Sequence, residues 1–287
     1  MAIPKAPGLA PKTEETLKVD VIRLQGPSSQ VNKEQFSQAM SILKENFPHS
    51  EIESPAQFLS YFDDEAAQSW FFQVAVDPKS GNVAGLSFYS LIEETGVVMY
   101  NLVAVDKDYR KKGVAKQLID GMLAGAGAHA KPGVGLTYVL GEIEQPDRSI
   151  TGEAGMMRND IRPKFHDNAT KIQALLKPDG KVVKYKLPIM ASDEERREAE
   201  KAGTPFAEEE LLFAVRPLRN PSTATIPMRE VGELIYWFYT DYLGGECHDV
   251  RAEDVNRLLA KALTELSGVE ITGEEIAGKG RAILSRI

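Results

Sequence analysis

The sequence predicts a mixed α/β fold: a mostly antiparallel central sheet flanked by helices, followed by a helical carboxy-terminal extension. Three observations carry this expectation. Apolar runs rich in β-branched and aromatic residues recur through the middle of the chain, several of them separated by hairpin turns. Helical periodicity interrupts these runs irregularly instead of following every strand, which excludes an alternating doubly wound domain. Beyond Pro221 the strand signals stop and only helical patterns remain.

Each element follows from local pattern. Residues 1–16 ("MAIPKAPGLAPKTEET") are rich in Pro, Ala and Lys and read as a flexible tail. "LKVDVIRL" (17–24) alternates as a strand should. "NKEQFSQAMSILKENF" (32–47) places Phe36, Met40 and Leu43 on one helical face behind Asn32, a good N-cap. "SPAQFLSYF" (54–62) opens with Ser-Pro, the signature of a second short helix. Three strands are expected at 70–77, 82–92 and 96–105, paired antiparallel through the turns "PKSG" and "EETG". A helix from about Val114 to Ala128 follows, with Gly125 or Gly127 as its C-cap and "GAGAHAKPGVG" as a loop. Further strands are expected at 135–144, 181–190 and 208–218, which makes seven in all. A helix at 162–176 and a charged helical excursion at 192–203 lie between them. Two amphipathic helices, 228–243 and 251–266, close the chain.

Composition narrows the function classes. At 287 residues, 43% hydrophobic and 26% charged, the chain suits an ordinary globular protein with a full core. The formal charge of −8 argues against broad nucleic-acid binding. An acidic surface also suits a cationic amine. No apolar run nears the ~20 residues that span a bilayer, so no membrane partner is expected. Met1 to Lys12 lacks a signal-peptide core, and the cytoplasm is the expected compartment. The single cysteine, Cys247, forbids an internal disulfide and a thiolate-cluster metal site, and no His pair has metal-ligand spacing. The aromatic run "YWFY" (236–239) reads as a buried face, packed on the domain or on a homodimer mate.

The most informative stretch is "VAVDKDYRKKGVAKQLIDGML" (103–123). Its helical stripe begins only at Val114, and Arg110, Lys111, Lys112 and Gly113 stand where a Ser, Thr, Asp or Asn cap is usual. A helix start leaves unsatisfied N–H groups and partial positive charge. Three cations add to that charge, and a glycine would let an anion approach where a Cβ would intrude. These residues read as a phosphate or pyrophosphate cradle. The other reading has Asp108 cap a helix that starts at Tyr109, with the cations on its solvated face.

"RKKGVA" (110–115) fits [RQ]-x-x-G-x-[GA], and together with the preceding strand "LVAVDKDY" it resembles the GCN5-related N-acetyltransferases, the GNAT superfamily. The resemblance covers roughly residues 17–218 and implies the acyl-CoA N-acyltransferase fold there, with residues 219–287 as an extension packed on the domain. It implies acetyl-coenzyme A as the acyl donor and no metal. The pyrophosphate would lie on Arg110, Lys111, Lys112, Gly113, Val114 and Ala115. The pantetheine arm would bond the backbone of Val103 and Val105, and the Val105 N–H would serve the oxyanion.

The proton chemistry follows the family less closely. A glutamate that several relatives carry on the fourth strand is replaced here by Met99 or Tyr100. Glu142 and Glu144 are the substitute bases: their two-residue spacing puts both carboxylates on one face of a strand end. A solvated strand end accounts for them equally well. "RPKFHDNATKI" (162–172) resembles the segment that holds the family's tyrosine acid, with His166 in its place. A second register puts Asn168 in a coenzyme A contact, and an exposed helical position explains His166 without catalysis. The expected function is acetyl transfer from acetyl-coenzyme A to a primary amine of a small molecule, directly within a ternary complex. A catalytically silent acyl-coenzyme A module and a protein or peptide acetyltransferase are the alternatives.

Overall fold

The computed structural model describes residues 16–25, 27–47, 52–63, 69–144, 171–174, 184–186, 197–198, 200–203, 210–218, 226–243 and 251–286. The chain divides into two compact units, Met1–Leu136 and Thr137–Ile287.

The first unit is a four-stranded antiparallel meander. Strands β1 (Asp20–Leu24), β2 (Trp70–Val76), β3 (Val83–Ile92) and β4 (Val97–Val105) pair in sequence order. Helices α1 (Lys33–Asn46) and α2 (Pro55–Asp63) separate β1 from β2, and α3 (Val114–His129) follows β4. The caps expected from sequence are present. Asn32 Oδ1 accepts the Glu34 and Gln35 N–H groups, and Ser54 Oγ accepts that of Gln57 at 3.2 Å.

Phe36, Met40 and Leu43 are buried among Phe58, Phe72, Leu86 and Phe88 in one core cluster, which joins α1 and α2 to the sheet. The Phe58 ring lies 5.1 Å from Phe88 and 5.6 Å from Phe72, both edge-on. Helix α3 buries Val114, Leu118, Ile119, Met122 and Ala126. Two buried polar side chains beneath it, Gln73 and Ser87, bond each other, and Gln73 Nε2 also donates to Tyr89 and to the Gly121 carbonyl.

In the second unit the long strand β8 (Glu210–Pro217) organises the sheet. Strand β5 (Tyr138–Glu144) runs antiparallel along it, and the short strands β6 (Gln173–Ala174) and β7 (Lys184–Lys186) pair with successive stretches of β8. Helices α4 (Met228–Trp237), α5 (Ala252–Ser267) and α6 (Gly273–Lys279) follow. The "YWFY" run is partly in α4 and partly in a π-helical turn, Phe238–Leu243. Phe238 and Tyr239 are buried, and Tyr239 donates to the Lys186 carbonyl at 2.8 Å.

The mixed α/β class and the carboxy-terminal helices stand as expected. Four local expectations change. The described residues hold eight strands, not seven. The helix expected to run to residue 176 does not: Gln173 and Ala174 are extended and pair with Val215 and Ala214, just after Lys171 at φ 58°. Gly125 and Gly127 are not C-caps, because α3 continues to His129 and closes at Ala130. Gly125 instead faces Tyr89, whose hydroxyl would stand 2.7 Å from an added Cβ. An additional helix, α6, started by a Thr272–Glu275 capping box, follows α5 and precedes a 3₁₀ segment, Gly280–Arg286. Among the described residues no helix is long and apolar enough to cross a membrane.

Candidate functional site

The segment between β4 and α3 is held from several sides. Asp106 caps a single 3₁₀ turn, Lys107–Tyr109, by accepting the Asp108 N–H at 2.8 Å. The Tyr109 hydroxyl reaches the β2–β3 turn, donating to Asp77 Oδ2 at 3.3 Å and lying 3.3 Å from Ser80 Oγ. Asp77 accepts the Lys79 N–H as well, and that bond chiefly holds its pKa below the usual carboxylate value. Arg110 Nη2 donates to Asn46 Oδ1 at the end of α1, and Nε to the Val105 carbonyl. Lys112 Nζ turns back to the Asp108 carbonyl at 2.7 Å, over the Tyr109 ring.

Helix α3 begins at Val114, with Gly113 as N-cap and no side-chain cap. Asp108 therefore does not cap it. Lys111 and Gly113 both take left-handed φ, 63° and 76°. Alternating left-handed residues turn successive N–H groups toward one concavity, the arrangement that accepts anions. Among the described residues, no backbone carbonyl meets the N–H groups of Lys111 to Lys116 in good hydrogen-bond geometry, and those of Val114 to Lys116 are the open donors of a helix start. Arg110, Lys111 and Lys112 are exposed around this row. The role of Gly113 differs from the expected one. An added Cβ would meet Thr16 Cγ2 at 2.9 Å, so the space beside the glycine is taken by a threonine methyl, not left open for an anion.

Strand β4 contributes main-chain groups. The Asp106 N–H donates to the Ala84 carbonyl at 3.0 Å, across the Gly85–Val105 pair. That makes Val105 a non-hydrogen-bonded position of the ladder, and by alternation Val103, opposite Ser87, is another. The amides and carbonyls of both valines therefore point away from β3. The register shifts between Phe88–Leu102 and Tyr89–Tyr100, so Asn101 is a bulge in the middle of β4.

Residues 36–140 match the acetyltransferase (GNAT) family model. That stretch of the chain therefore resembles a GNAT domain. No curated protein matches the sequence. Solved structures with a similar chain path include a protein from Bacteroides thetaiotaomicron assigned to the GNAT acetyltransferases. It is 13% identical, with a TM-score of 0.49 over 79% of this chain and 99% of that one. The ribosomal-protein-alanine N-acetyltransferase from Escherichia coli is 11% identical, with a TM-score of 0.41 over 72% and 97%. An aminoglycoside acetyltransferase from an uncultured soil sample, solved with sisomicin, is 16% identical, with a TM-score of 0.36 over 53% and 86%.

Val103, Val105, Arg110, Lys111, Lys112, Gly113, Val114 and Ala115 all fall within the matched stretch, on β4, the loop after it and the start of α3. Glu142 and Glu144 lie beyond the matched stretch, on β5 in the second unit, opposite Phe213 and Leu211. His166 and Asn168 fall outside the described residues.

Inside the matched stretch the structure adds a carboxylate that the sequence did not single out. Glu53, just before α2, accepts the Tyr61 hydroxyl at 2.9 Å through Oε1, while Oε2 is buried with no partner. Burial pushes its pKa up, against the opposing effect of the Tyr61 bond. Tyr61 stacks on Trp70 at 5.1 Å, and Trp70 on Phe88 at 4.9 Å. A glutamate in a polar connector carries no sequence mark of burial.

Proposed function

We propose that the chain transfers an acetyl group from acetyl-coenzyme A to the primary amine of a small molecule, by direct attack within a ternary complex. The observation that supports this most is the row of N–H groups from Lys111 to Lys116, which meet no well-placed backbone acceptor among the described residues and are bordered by three cations. A pyrophosphate requires convergent donors and positive charge in one place, and this loop offers both. The backbone of Lys111 to Ala115, with Arg110 and Lys112, would hold it, and the main-chain groups of Val103 and Val105 would hold the pantetheine arm. The donor supplies an acyl carbon activated as a thioester.

The chemistry then needs two proton movements. As the amine nitrogen bonds to the carbonyl carbon, its surplus proton must pass to a base; as the C–S bond breaks, the departing sulfur must gain one. Glu142 or Glu144 is proposed for the first movement and His166 for the second, with the Val105 N–H toward the developing oxyanion and Asn168 as a further contact to coenzyme A. The net charge of −8 favours a cationic acceptor.

Calorimetry with coenzyme A, followed by thiol release from acetyl-coenzyme A across a panel of small amines and peptides, tests the proposal. The expected outcome is binding, with turnover on small amines. Binding without any turnover would make the chain a silent coenzyme A module, and turnover on peptides alone would make it a protein acetyltransferase. Arg110→Ala combined with Lys112→Ala should weaken binding at least about tenfold, since each removes a cation beside the phosphates. Unchanged affinity would refute the cradle.

A further inference from the structure

Gln117 stands in the first turn of α3, where its main-chain N–H makes the first helical bond, to the Gly113 carbonyl at 3.3 Å, and its side chain is not needed for the helix. Its side chain bonds instead to a segment about 100 residues earlier in the chain. Oε1 accepts the Val19 N–H at 3.1 Å, and Nε2 donates to the Leu17 carbonyl at 2.7 Å. One amide thus mimics a neighbouring strand, satisfying a donor and an acceptor of the segment that leads into β1. The same Nε2 donates to the Gly113 carbonyl at 3.3 Å. The Leu17 N–H completes the arrangement by donating to the Lys112 carbonyl at 3.0 Å, and the Thr16 methyl covers Gly113.

These bonds decide where the loop's N–H groups point. A peptide unit is planar and trans, so its carbonyl and its N–H point in opposite directions. The Lys112 carbonyl, held by Leu17, belongs to the peptide that carries the Gly113 N–H. The Gly113 carbonyl accepts both the main-chain N–H and Nε2 of Gln117, each at 3.3 Å, and belongs to the peptide that carries the Val114 N–H. Fixing two carbonyls on one side of the loop therefore aims two N–H groups at the other. Lys111 and Gly113 are the loop's left-handed residues, and the backbone between them could rotate either peptide if nothing held it.

We propose that Gln117 is a positioning residue: with residues 16–19 it clamps the carbonyl side of the phosphate loop, orienting the N–H groups of Gly113 and Val114 for the coenzyme A pyrophosphate. This rests on the acyl-coenzyme A function proposed above. Because linkage is reciprocal, a bound pyrophosphate in turn tightens the amino-terminal segment.

The test compares coenzyme A binding by calorimetry in the wild type, Gln117→Ala and Leu17→Pro, together with amide hydrogen exchange at Leu17 and Val19. Leu17→Pro removes the donor to Lys112 without touching α3, and so probes the same clamp should Gln117→Ala fold poorly. Each variant should bind coenzyme A roughly five- to tenfold more weakly, the equivalent of one or two hydrogen bonds. In the wild type, coenzyme A should slow exchange at Leu17 and Val19, and in Gln117→Ala that protection should vanish. A purely structural staple would lower the melting temperature yet leave affinity and ligand-dependent protection unchanged, and that result overturns the proposal. Wild type that binds no coenzyme A at all overturns the acyl-coenzyme A function and this inference together, so the two failures are told apart.

Discussion

Gly81 and Gly113 share φ = 76°, yet an added Cβ would meet nothing within 4 Å at Gly81 and the Thr16 methyl at 2.9 Å at Gly113. Replacing each by alanine therefore separates backbone strain from contact. A Cβ in the left-handed region costs about 1–2 kcal/mol, and the stiffer unfolded chain returns about 0.4–1 kcal/mol. Gly81→Ala should thus destabilise by about 1 kcal/mol, the difference of those two terms. Gly113→Ala carries the same amount plus the contact. Thr16 is exposed and meets the new atom with the end of a side chain, so a rotation relieves it and the excess should stay within about 0.5 kcal/mol, half the cost of an ordinary off-rotamer shift. Urea denaturation at constant slope measures both, and Thr16→Ala combined with Gly113→Ala should erase the excess. Only Gly113→Ala should change coenzyme A affinity. An excess above about 2 kcal/mol that survives Thr16→Ala would show that something other than Thr16 fills the space beside Gly113. That magnitude is the one expected of an overpacked site that cannot relax.

Three further outcomes follow from the structure. Gly85→Ala would set a Cβ 2.7 Å from the Ala104 carbonyl oxygen and 3.1 Å from Leu118 Cδ1. Backbone cannot step aside, so a loss of about 1–3 kcal/mol is expected, and calorimetric tolerance of the alanine would contradict it. Glu53 has a pKa raised above the ordinary glutamate value of 4.5, so the folded chain holds that proton more tightly than the unfolded one. Its contribution is greatest below pH 4.5 and is lost as pH rises through the folded value. Glu53→Gln should therefore gain on the wild type as pH climbs from that point, and a gap that is flat with pH counts against burial as the cause of the raised pKa. Thr272→Ala removes the acceptor for the Glu275 N–H and one half of the capping box. It should cost about 1 kcal/mol, measured as a lower thermal midpoint, with Thr272→Ser keeping most of it.

The elements that the sequence revealed are those whose signals are local. Asn32 and Ser54 announce their helices because an N-cap needs only the next three residues. The meander β2–β3–β4 was legible because two short turns force antiparallel neighbours. The misread elements depend on distant partners. Gln173 and Ala174 look helical in their own window and become strand because β8 offers them a ladder. Gly125 resembles a C-cap, yet it sits in mid-helix because Tyr89 leaves no room for a side chain there. The α6 helix is a different case: the Thr-x-x-Glu pattern at Thr272 and Glu275 was in plain view and simply carried too short an apolar stripe to be noticed.

The loop between β4 and α3 shows how a site read from charge depends on groups that carry none. Arg110, Lys111, Lys112 and Gly113 pointed to an anion site through charge and a missing cap, and the N–H groups beside them meet no well-placed backbone acceptor among the described residues. The glycine was credited with making room for the anion, whereas its conformation and the Thr16 methyl account for it. The cations are not aimed freely at a ligand either. Arg110 is tied to Asn46 and to the Val105 carbonyl, and Lys112 to the Asp108 carbonyl. Two of the three charges thus brace the loop from which the N–H groups project. Under the proposed function, recognition of the pyrophosphate would fall more on the backbone than on the side chains, and a backbone cradle is only as good as the groups that hold its carbonyls. That places the weight on Gln117, Leu17 and Thr16, which no motif marks, and it explains why a short consensus can identify such a loop without containing the residues that set its shape.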